Sequence, residues 1–210
     1  MPGRRKHTLL LAGLALALAT VSAEADSHGG KKKPELISGA SAEMLAAQCD
    51  GCHGPNGASG GPAIPNIGGH DAEFLMEQMK GFASGEIPST IMGRIAKGYT
   101  DDEIKRLAAH YAKQKWVPAK QKFDAGLAKM GAPLAEKYCE KCHEDGGKKA
   151  DEGIPVLAGQ WLPYLHFTMA DFISGKREMT KKMKKRVNKL MKSKGEKGLN
   201  AVLEFYASQQ

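Results

Sequence analysis

The sequence predicts an all-α protein made of two domains related by internal duplication. A five-residue motif, C-x-x-C-H, occurs at residues 49–53 and again ninety positions later at residues 139–143. Apolar residues recur at helical spacing around both copies, and no segment shows the alternating pattern typical of a strand. Further residues repeat at the same offset, as a duplicated unit requires.

The repeat extends well beyond the motif. The pairs that share the ninety-residue offset are Ile64-Pro65 with Ile154-Pro155, Phe82 with Phe172, and Gly85 with Gly175. Tyr111 and Tyr206 follow at an offset of 95, because the second copy has a longer segment before its last helix. We therefore assign residues 41–115 to the first domain, 116–124 to a linker and 125–210 to the second domain.

Each copy contains the same predicted elements in the same order. A short helix leads into the motif, a Gly/Pro-rich loop follows it, and an amphipathic helix and a closing helix complete the copy. The predicted helices are 42–49, 71–82 and 101–114, and then 132–139, 162–173 and 197–208. Thr100 and Glu103 have the spacing of a capping box at the start of the third helix.

The N-terminus has the features of a secretory signal peptide. A basic start, Arg4-Arg5-Lys6, precedes an apolar stretch that ends near Val21, which is shorter than the roughly 20 residues that span a bilayer. Ala23-Glu24-Ala25 then fits a small-x-small cleavage site. We predict a signal peptide at residues 1–25, a flexible Lys/Gly-rich tail at 26–40, and a periplasmic mature chain without a membrane span.

The chain is basic, with 31 Lys or Arg against 23 Asp or Glu. Removal of residues 1–25 would leave a formal net charge of +6. Between Lys176 and Lys197 lie eleven basic residues and only two acidic ones. This segment could steer an acidic redox partner, or it could be a solvated helix face; the sequence leaves both interpretations open. We expect no nucleic-acid partner.

The C-x-x-C-H motif is the attachment sequence of c-type haem. Zinc sites and redox-active thiol pairs also use C-x-x-C, but neither explains a histidine directly after the second cysteine in both copies. In the haem interpretation His53 and His143 bind iron. The thioether bonds are then assigned to Cys49, Cys52, Cys139 and Cys142, which are all of the cysteines in the chain.

A methionine as sixth iron ligand suits electron transfer, because it closes the iron and raises its reduction potential. Met92 lies 39 residues after His53, in a predicted loop between two helices. In the second domain Met179 lies 36 residues after His143, and Met183 follows one helical turn later. We predict Met92 and Met179 as the distal ligands, with Met183 as the alternative.

A metal-bound histidine usually donates its second ring nitrogen to an acceptor that orients the ring. The backbone carbonyls of Pro65 and Pro155 are the candidates for this role. The remaining histidines of the two domains, His70, His110 and His166, show no partner in the sequence, and we interpret them as surface or packing residues.

With these residues established, the chain resembles tandem class I cytochromes c of the c4-like kind. It also resembles, more closely, the dihaem cytochrome subunit of flavocytochrome c sulfide dehydrogenase. The resemblance covers residues 41–210. The segments that carry it are Gly85-Glu86-Ile87, Ser89–Tyr99, Pro118–Gln121, Lys137–His143, Leu157–Trp161 and Phe205–Gln210.

The resemblance implies an electron-transfer subunit that is not an enzyme on its own and carries two covalent haem c groups. It implies a heterodimer with an FAD-containing, sulfide-oxidising flavoprotein, and a soluble acceptor such as a small cytochrome. The second loop lacks the proline that the family places before its methionine, so Met179 and Met183 both stay open. Two alternatives remain: a stand-alone c4-type relay to a terminal oxidase or reductase, and a dihaem peroxidase, which would need an open iron position.

Overall fold

The computed structural model describes residues 39–210. The predicted signal peptide and all but the last two residues of the predicted tail lie outside this range. The described chain is helical, and its only bridge of strand type is the isolated pair Asp151–Ile154. Its helices are α1 Ala42–His53, α2 Ala72–Ser84, α3 Met92–Ala96, α4 Asp101–Ala112, α5 Ala125–Tyr138, α6 Glu144–Gly147, α7 Leu162–Ser174 and α8 Lys181–Ala207.

Among these helices none is both long enough and apolar enough to cross a membrane.

Two helices begin where they were predicted to begin, within one residue. The Asp71 side chain accepts hydrogen bonds from the first turn of α2, and Thr100 with Glu103 forms a complete capping box at α4. Each cap satisfies backbone N–H groups that a helix start otherwise leaves unpaired.

Two predicted helix boundaries near the motifs are wrong. α1 continues through the whole first motif to His53 and ends only where Gly54 adopts a positive φ of 72°. α5 begins seven residues before the predicted start, with Asp124 capping it through the Leu127 N–H. Gly131 and Pro133 lower the helical signal of α5, but packing of α5 against α8 outweighs that local preference.

The last helix is also longer than predicted. It starts at Lys181 and includes most of the Lys-rich segment, with a break at Gly195, where φ is 61°. Lys, Arg and Met favour helix, and Thr180 caps the first turn by accepting from the Met183 N–H at 3.2 Å. Leu190, only 1% exposed, anchors this added part to the core.

One short helix was not predicted. Met92, expected in a loop, is the first residue of α3. The Ser89 hydroxyl accepts a 2.6 Å hydrogen bond from the Gly93 N–H, and Ala96 is completely buried at the other end of the turn. A five-residue helix held by one side chain and one small buried residue gives no periodic signal.

The loop after each motif is built in the same way in both domains. The Gly57 carbonyl accepts from the N–H groups of residues 67 and 68, and the Gly147 carbonyl accepts from those of residues 157 and 158. Gly57 and Gly147 both have positive φ. A side chain at Gly147 would also collide with the ring of Tyr206. The duplication is therefore visible in backbone hydrogen bonds as well as in sequence.

Each domain has its own apolar core. The first core contains the buried residues Leu45, Ala46, Leu75, Leu107, Ala108 and Tyr111. The second is larger and contains Leu134, Ala135, Tyr138, Leu165, Leu190, Leu199, Ala201, Val202, Leu203 and Tyr206. The larger second core follows from the close packing of α5 on the long α8.

Gly131 sets the distance between α5 and α8. A Cβ atom at this position would overlap the backbone carbonyl of Ala201 and press on Phe205. Backbone atoms cannot move aside as the end of a flexible side chain can. The absence of a side chain at residue 131 is thus a condition for this helix contact.

We expect Gly131→Ala to lower the free energy of unfolding by about 1–3 kcal/mol, the usual cost of overpacking. Gly126→Ala, in the first turn of the same helix, is the matched control, because its added methyl meets only the Asp124 side chain at 3.2 Å. Denaturant unfolding of both variants measures the difference. Equal stabilities would contradict the proposed helix contact.

The two domains meet through a polar seam, which we define as Asn66, His70, Gln160 and Trp161. Asn66 and Gln160 are 1% and 2% exposed. The Asn66 N–H donates to Gln160 Oε1, and Gln160 Nε2 donates back to the Asn66 carbonyl, both at 3.0 Å. The Trp161 indole N–H donates to the Ser59 carbonyl at 3.2 Å. The seam therefore satisfies its buried polar groups across the boundary.

His70 lies at the centre of this seam and is 4% exposed. Its Nδ1 accepts from the Val156 N–H at 3.1 Å, and its Nε2 lies 3.2 Å from the Asn66 carbonyl. The rings of Phe74 and Trp116 pack against it with centroids 5.0 Å away. Burial lowers the pKa of His70 to about 4, although the Asn66 carbonyl acts in the opposite direction.

This lowered pKa predicts a loss of stability in mild acid. The unfolded chain has a His70 pKa near 6.5 and so binds more protons than the folded chain between about pH 6.5 and 4. Stability therefore falls as the pH drops through this window, by about 2 kcal/mol between pH 7 and pH 5.

In the variant His70→Gln this part of the pH dependence should disappear, because Gln has the same hydrogen-bonding capacity but does not titrate. Unfolding free energies of the wild-type protein and the variant at pH 7 and pH 5 test this prediction. An identical loss in both proteins would contradict it.

Candidate functional site

The first motif lies on the last turn of α1. Cys49, Cys52 and His53 occupy positions i, i+3 and i+4 of one helix, so their side chains share one face. Cys52 is exposed, Cys49 is half-buried, and His53 is buried at 8% exposure. The two thiols and the imidazole can therefore act on one flat ligand.

The second motif follows α5 and preserves the same local geometry. Cys139 is the C-cap residue of that helix. The N–H groups of Cys142 and His143 both donate to the Cys139 carbonyl, at 3.1 and 3.0 Å. The chain thus makes one more turn, which places the second set of three side chains as in the first motif.

The thiols do not have the character of a redox-active pair. Burial raises the pKa of Cys49, and it raises the pKa of Cys139 to about 11. Reactive C-x-x-C pairs depend on a lowered pKa. In the described part of the chain, no three His, Cys, Asp or Glu side chains cluster in a way that could hold a metal ion. The raised pKa values speak against a redox-active thiol pair.

His53 is oriented by the loop that follows its helix. Its Nδ1 donates to the Pro65 carbonyl at 2.9 Å. Burial lowers the pKa of His53, and the Pro65 carbonyl opposes this effect. A neutral imidazole with Nδ1–H engaged leaves Nε2 available for a metal, which is the arrangement that an iron-bound histidine requires.

His143 has a related but looser environment. Burial lowers its pKa, and the Pro155 backbone again acts in the opposite direction. Its Nδ1 nevertheless makes no hydrogen bond of ordinary distance and angle with any described residue. The Tyr206 hydroxyl, in the same wall, is also buried without a partner among the described residues. His143 therefore lacks the orienting hydrogen bond that His53 makes with Pro65.

A cavity of about 1260 Å³ adjoins the second motif. Small-molecule sites usually measure about 300–1,000 Å³, so this cavity can accept a group as large as haem. Its wall includes both cysteines and the histidine of the motif. Apolar side chains of α7 and α8 also line it, among them Leu165, Leu190, Val202 and Leu203, and so do residues of α2 in the first domain, such as Phe74.

The cavity separates the two candidate methionines of the second domain. Met183, in the first turn of α8, is part of the cavity wall. Met179, in the loop before that helix, is not among the lining residues. Met92 is half-buried at the start of α3.

The sequence analysis missed the seam residues. His70 was interpreted as a surface or packing residue, and Asn66 and Gln160 were not singled out. A signal for them existed, because His70 and Gln160 are related by the ninety-residue offset. These two residues differ chemically, but both are polar and each follows the loop that carries Pro65 or Pro155. Equivalent polar positions of this kind suggest a shared role.

No family model matches the chain, but individual proteins do. The cytochrome subunit of sulfide dehydrogenase from Chlorobaculum tepidum is 36% identical over 104 residues, which are 49% of this chain and 93% of that protein. The thiosulfate dehydrogenase electron acceptor of Thiomonas intermedia is 32% identical over 150 residues, covering 66% of this chain and 68% of that protein.

Among solved structures, reduced cytochrome c4 from Pseudomonas stutzeri superposes with a TM-score of 0.68 at 25% identity. The match covers 80% of this chain and 97% of the cytochrome. A helical fold built twice, with a C-x-x-C-H motif in each copy, defines a tandem class I c-type cytochrome. The chain belongs to the c4-like family of dihaem cytochromes, which are electron-transfer proteins.

Proposed function

We propose that the protein is an exported, periplasmic electron carrier with two covalent haem c groups. The observation that carries the proposal is the pair of motif turns, each with two thiols and one histidine, of which His53 is oriented by the Pro65 carbonyl. Haem c supplies a reversible one-electron iron couple when bound. The attachment residues are Cys49, Cys52, Cys139 and Cys142.

The chain's own residues would close each iron on both sides. His53 and His143 are the proximal ligands in this proposal, and the Pro65 and Pro155 carbonyls orient them. Met92 is the distal ligand of the first haem. For the second haem we choose Met183, because it lines the cavity and Met179 does not. An iron whose ligand positions are all filled by protein side chains suits electron transfer better than substrate chemistry.

The choice between the two methionines can be tested directly. Met ligation raises the haem potential, so we expect Met183→Leu to lower the potential of one haem and to remove part of the weak long-wavelength band of ferric Met ligation. Met179→Leu is the matched control and should change neither. Potentiometric titration and visible spectroscopy of the two variants measure both properties. A potential drop only in the Met179 variant would restore the original prediction.

For the electron donor, we propose a dehydrogenase that oxidises a reduced sulfur compound, namely an FAD-containing subunit that oxidises sulfide. The FAD would be on that partner, and this chain would pass electrons to a soluble acceptor such as a small cytochrome. The 36% identity to a cytochrome subunit of sulfide dehydrogenase supports this partner. On its own the chain would catalyse no reaction.

The test is purification of the native protein with whatever it binds. We expect a complex that contains FAD and in which sulfide reduces both haems within the time of a stopped-flow experiment. Thiosulfate serves as the comparison substrate, since one relative is named as the acceptor of a thiosulfate dehydrogenase. If the haems of the intact complex stay oxidised with sulfide, this partner is wrong.

A stand-alone relay between a respiratory complex and a terminal oxidase or reductase is the second candidate. It is favoured by the extent of the match on this chain, which is 80% for the cytochrome c4 structure and 49% for the sulfide dehydrogenase subunit. Isolation of a free, flavin-less protein that exchanges electrons with a membrane oxidase would support the relay.

A further inference from the structure

The loop that carries Pro65 and the loop that carries Pro155 each receive a hydrogen bond from a side chain of the opposite domain. The ninety-residue offset relates the peptide Pro65–Asn66 to the peptide Pro155–Val156, and it relates His70 to Gln160. Each of these side chains contacts the peptide of the opposite domain. Such an exchange of equivalent contacts is what a two-fold interface produces.

In the first direction, the second domain acts on the first. Gln160 Oε1 accepts from the Asn66 N–H at 3.0 Å. The same peptide group carries the Pro65 carbonyl, which accepts from His53 Nδ1 at 2.9 Å. Gln160 is 2% exposed, so water does not compete for this bond.

In the second direction, the first domain acts on the second. His70 Nδ1 accepts from the Val156 N–H at 3.1 Å. That peptide group carries the Pro155 carbonyl, the ninety-residue counterpart of the Pro65 carbonyl that accepts from His53. His143 Nδ1 is buried and has no other partner among the described residues. Because His70 Nδ1 must be unprotonated to accept this bond, its Nε2 carries the hydrogen and donates to the Asn66 carbonyl.

We propose that His70 and Gln160 are positioning residues that act across the seam, each on the proximal histidine of the opposite domain. The inference rests on the proposed function, in which those histidines bind iron. A peptide whose N–H is engaged has a more negative carbonyl, because hydrogen bonds in a chain polarise one another. A stronger acceptor on Nδ1 makes the histidine a more basic ligand. Each domain therefore lowers the haem potential of the other.

The crossed pattern gives a specific test on the full-length, haem-loaded protein. His70→Leu should raise the potential of the second-domain haem and leave that of the first nearly unchanged. Gln160→Leu should do the reverse. The haem-methyl NMR resonances of each domain, followed during a redox titration, distinguish the two potentials.

Two further variants separate this role from a merely structural one. His70→Gln should stay closer to the wild-type potentials than His70→Leu, because the Gln amide can accept from a backbone N–H and donate to a carbonyl, as Gln160 does with Asn66. Trp161→Phe removes another cross-domain hydrogen bond, the 3.2 Å contact from the indole N–H to the Ser59 carbonyl, and should change neither potential. The proposal fails if His70→Leu shifts the haem of its own domain, shifts both equally, or shifts neither. It also fails if Trp161→Phe has the same effect.

A measurement on the wild-type protein does not depend on how the variants fold. Nitrogen-15 NMR of His70 should show an unprotonated Nδ1 and a protonated Nε2 at pH 7, and the opposite tautomer would overturn the inference. Potentials set at an electrode are independent of the physiological donor, so they stand whether or not sulfide reduces the protein. A wild-type protein that binds no haem would instead contradict the proposed function.

Discussion

The hydrogen bond from His53 Nδ1 to the Pro65 carbonyl joins the helix that carries the first motif to the loop that follows it, and the first domain is arranged to hold both partners. On the helix side, the buried Tyr111 hydroxyl donates to the Ala46 carbonyl and to Asp50. On the loop side, the Gly57 carbonyl accepts two backbone N–H groups. An imidazole fixed by a carbonyl is only as well oriented as the loop that carries the carbonyl.

Because the orientation of the histidine depends on the position of this loop, a polar contact between the domains has an advantage over an apolar one. An apolar contact would add stability but would tolerate sliding, whereas hydrogen bonds between buried groups at 3.0 Å permit one register. The segment between the domains is part of this arrangement. The Ala119 N–H donates to the Gly159 carbonyl at 2.7 Å, so the connection is tied to the loop of the second domain.

Much of this organisation could be predicted from the sequence. The ninety-residue offset identified the duplication, and the motif identified the thiols and histidines, because covalent attachment requires fixed residues at fixed spacing. The start of α5 could not be predicted, since Gly131 and Pro133 are poor helix formers and only packing against α8 makes that segment helical. The preference for Met183 over Met179 also needed the cavity, because both methionines lie at similar distances along the chain.

His70 is buried among packed rings, in agreement with one of the two interpretations from the sequence, but its hydrogen bonds could not be predicted. Its partners are backbone groups, which have no sequence signature. One of the two, the Val156 N–H, lies in the other domain, 86 positions away. A contact of that kind leaves no local pattern in the sequence.

The reciprocal seam also bears on how a duplicated gene product diverges. The equivalent residues at its centre are now different, His70 with Gln160 and Asn66 with Val156. Yet the side chain still accepts a backbone N–H in both directions. What the two positions share is the ability to accept a hydrogen bond, and not residue identity. The two halves can therefore lose sequence similarity at the seam while neither can change there independently of the other.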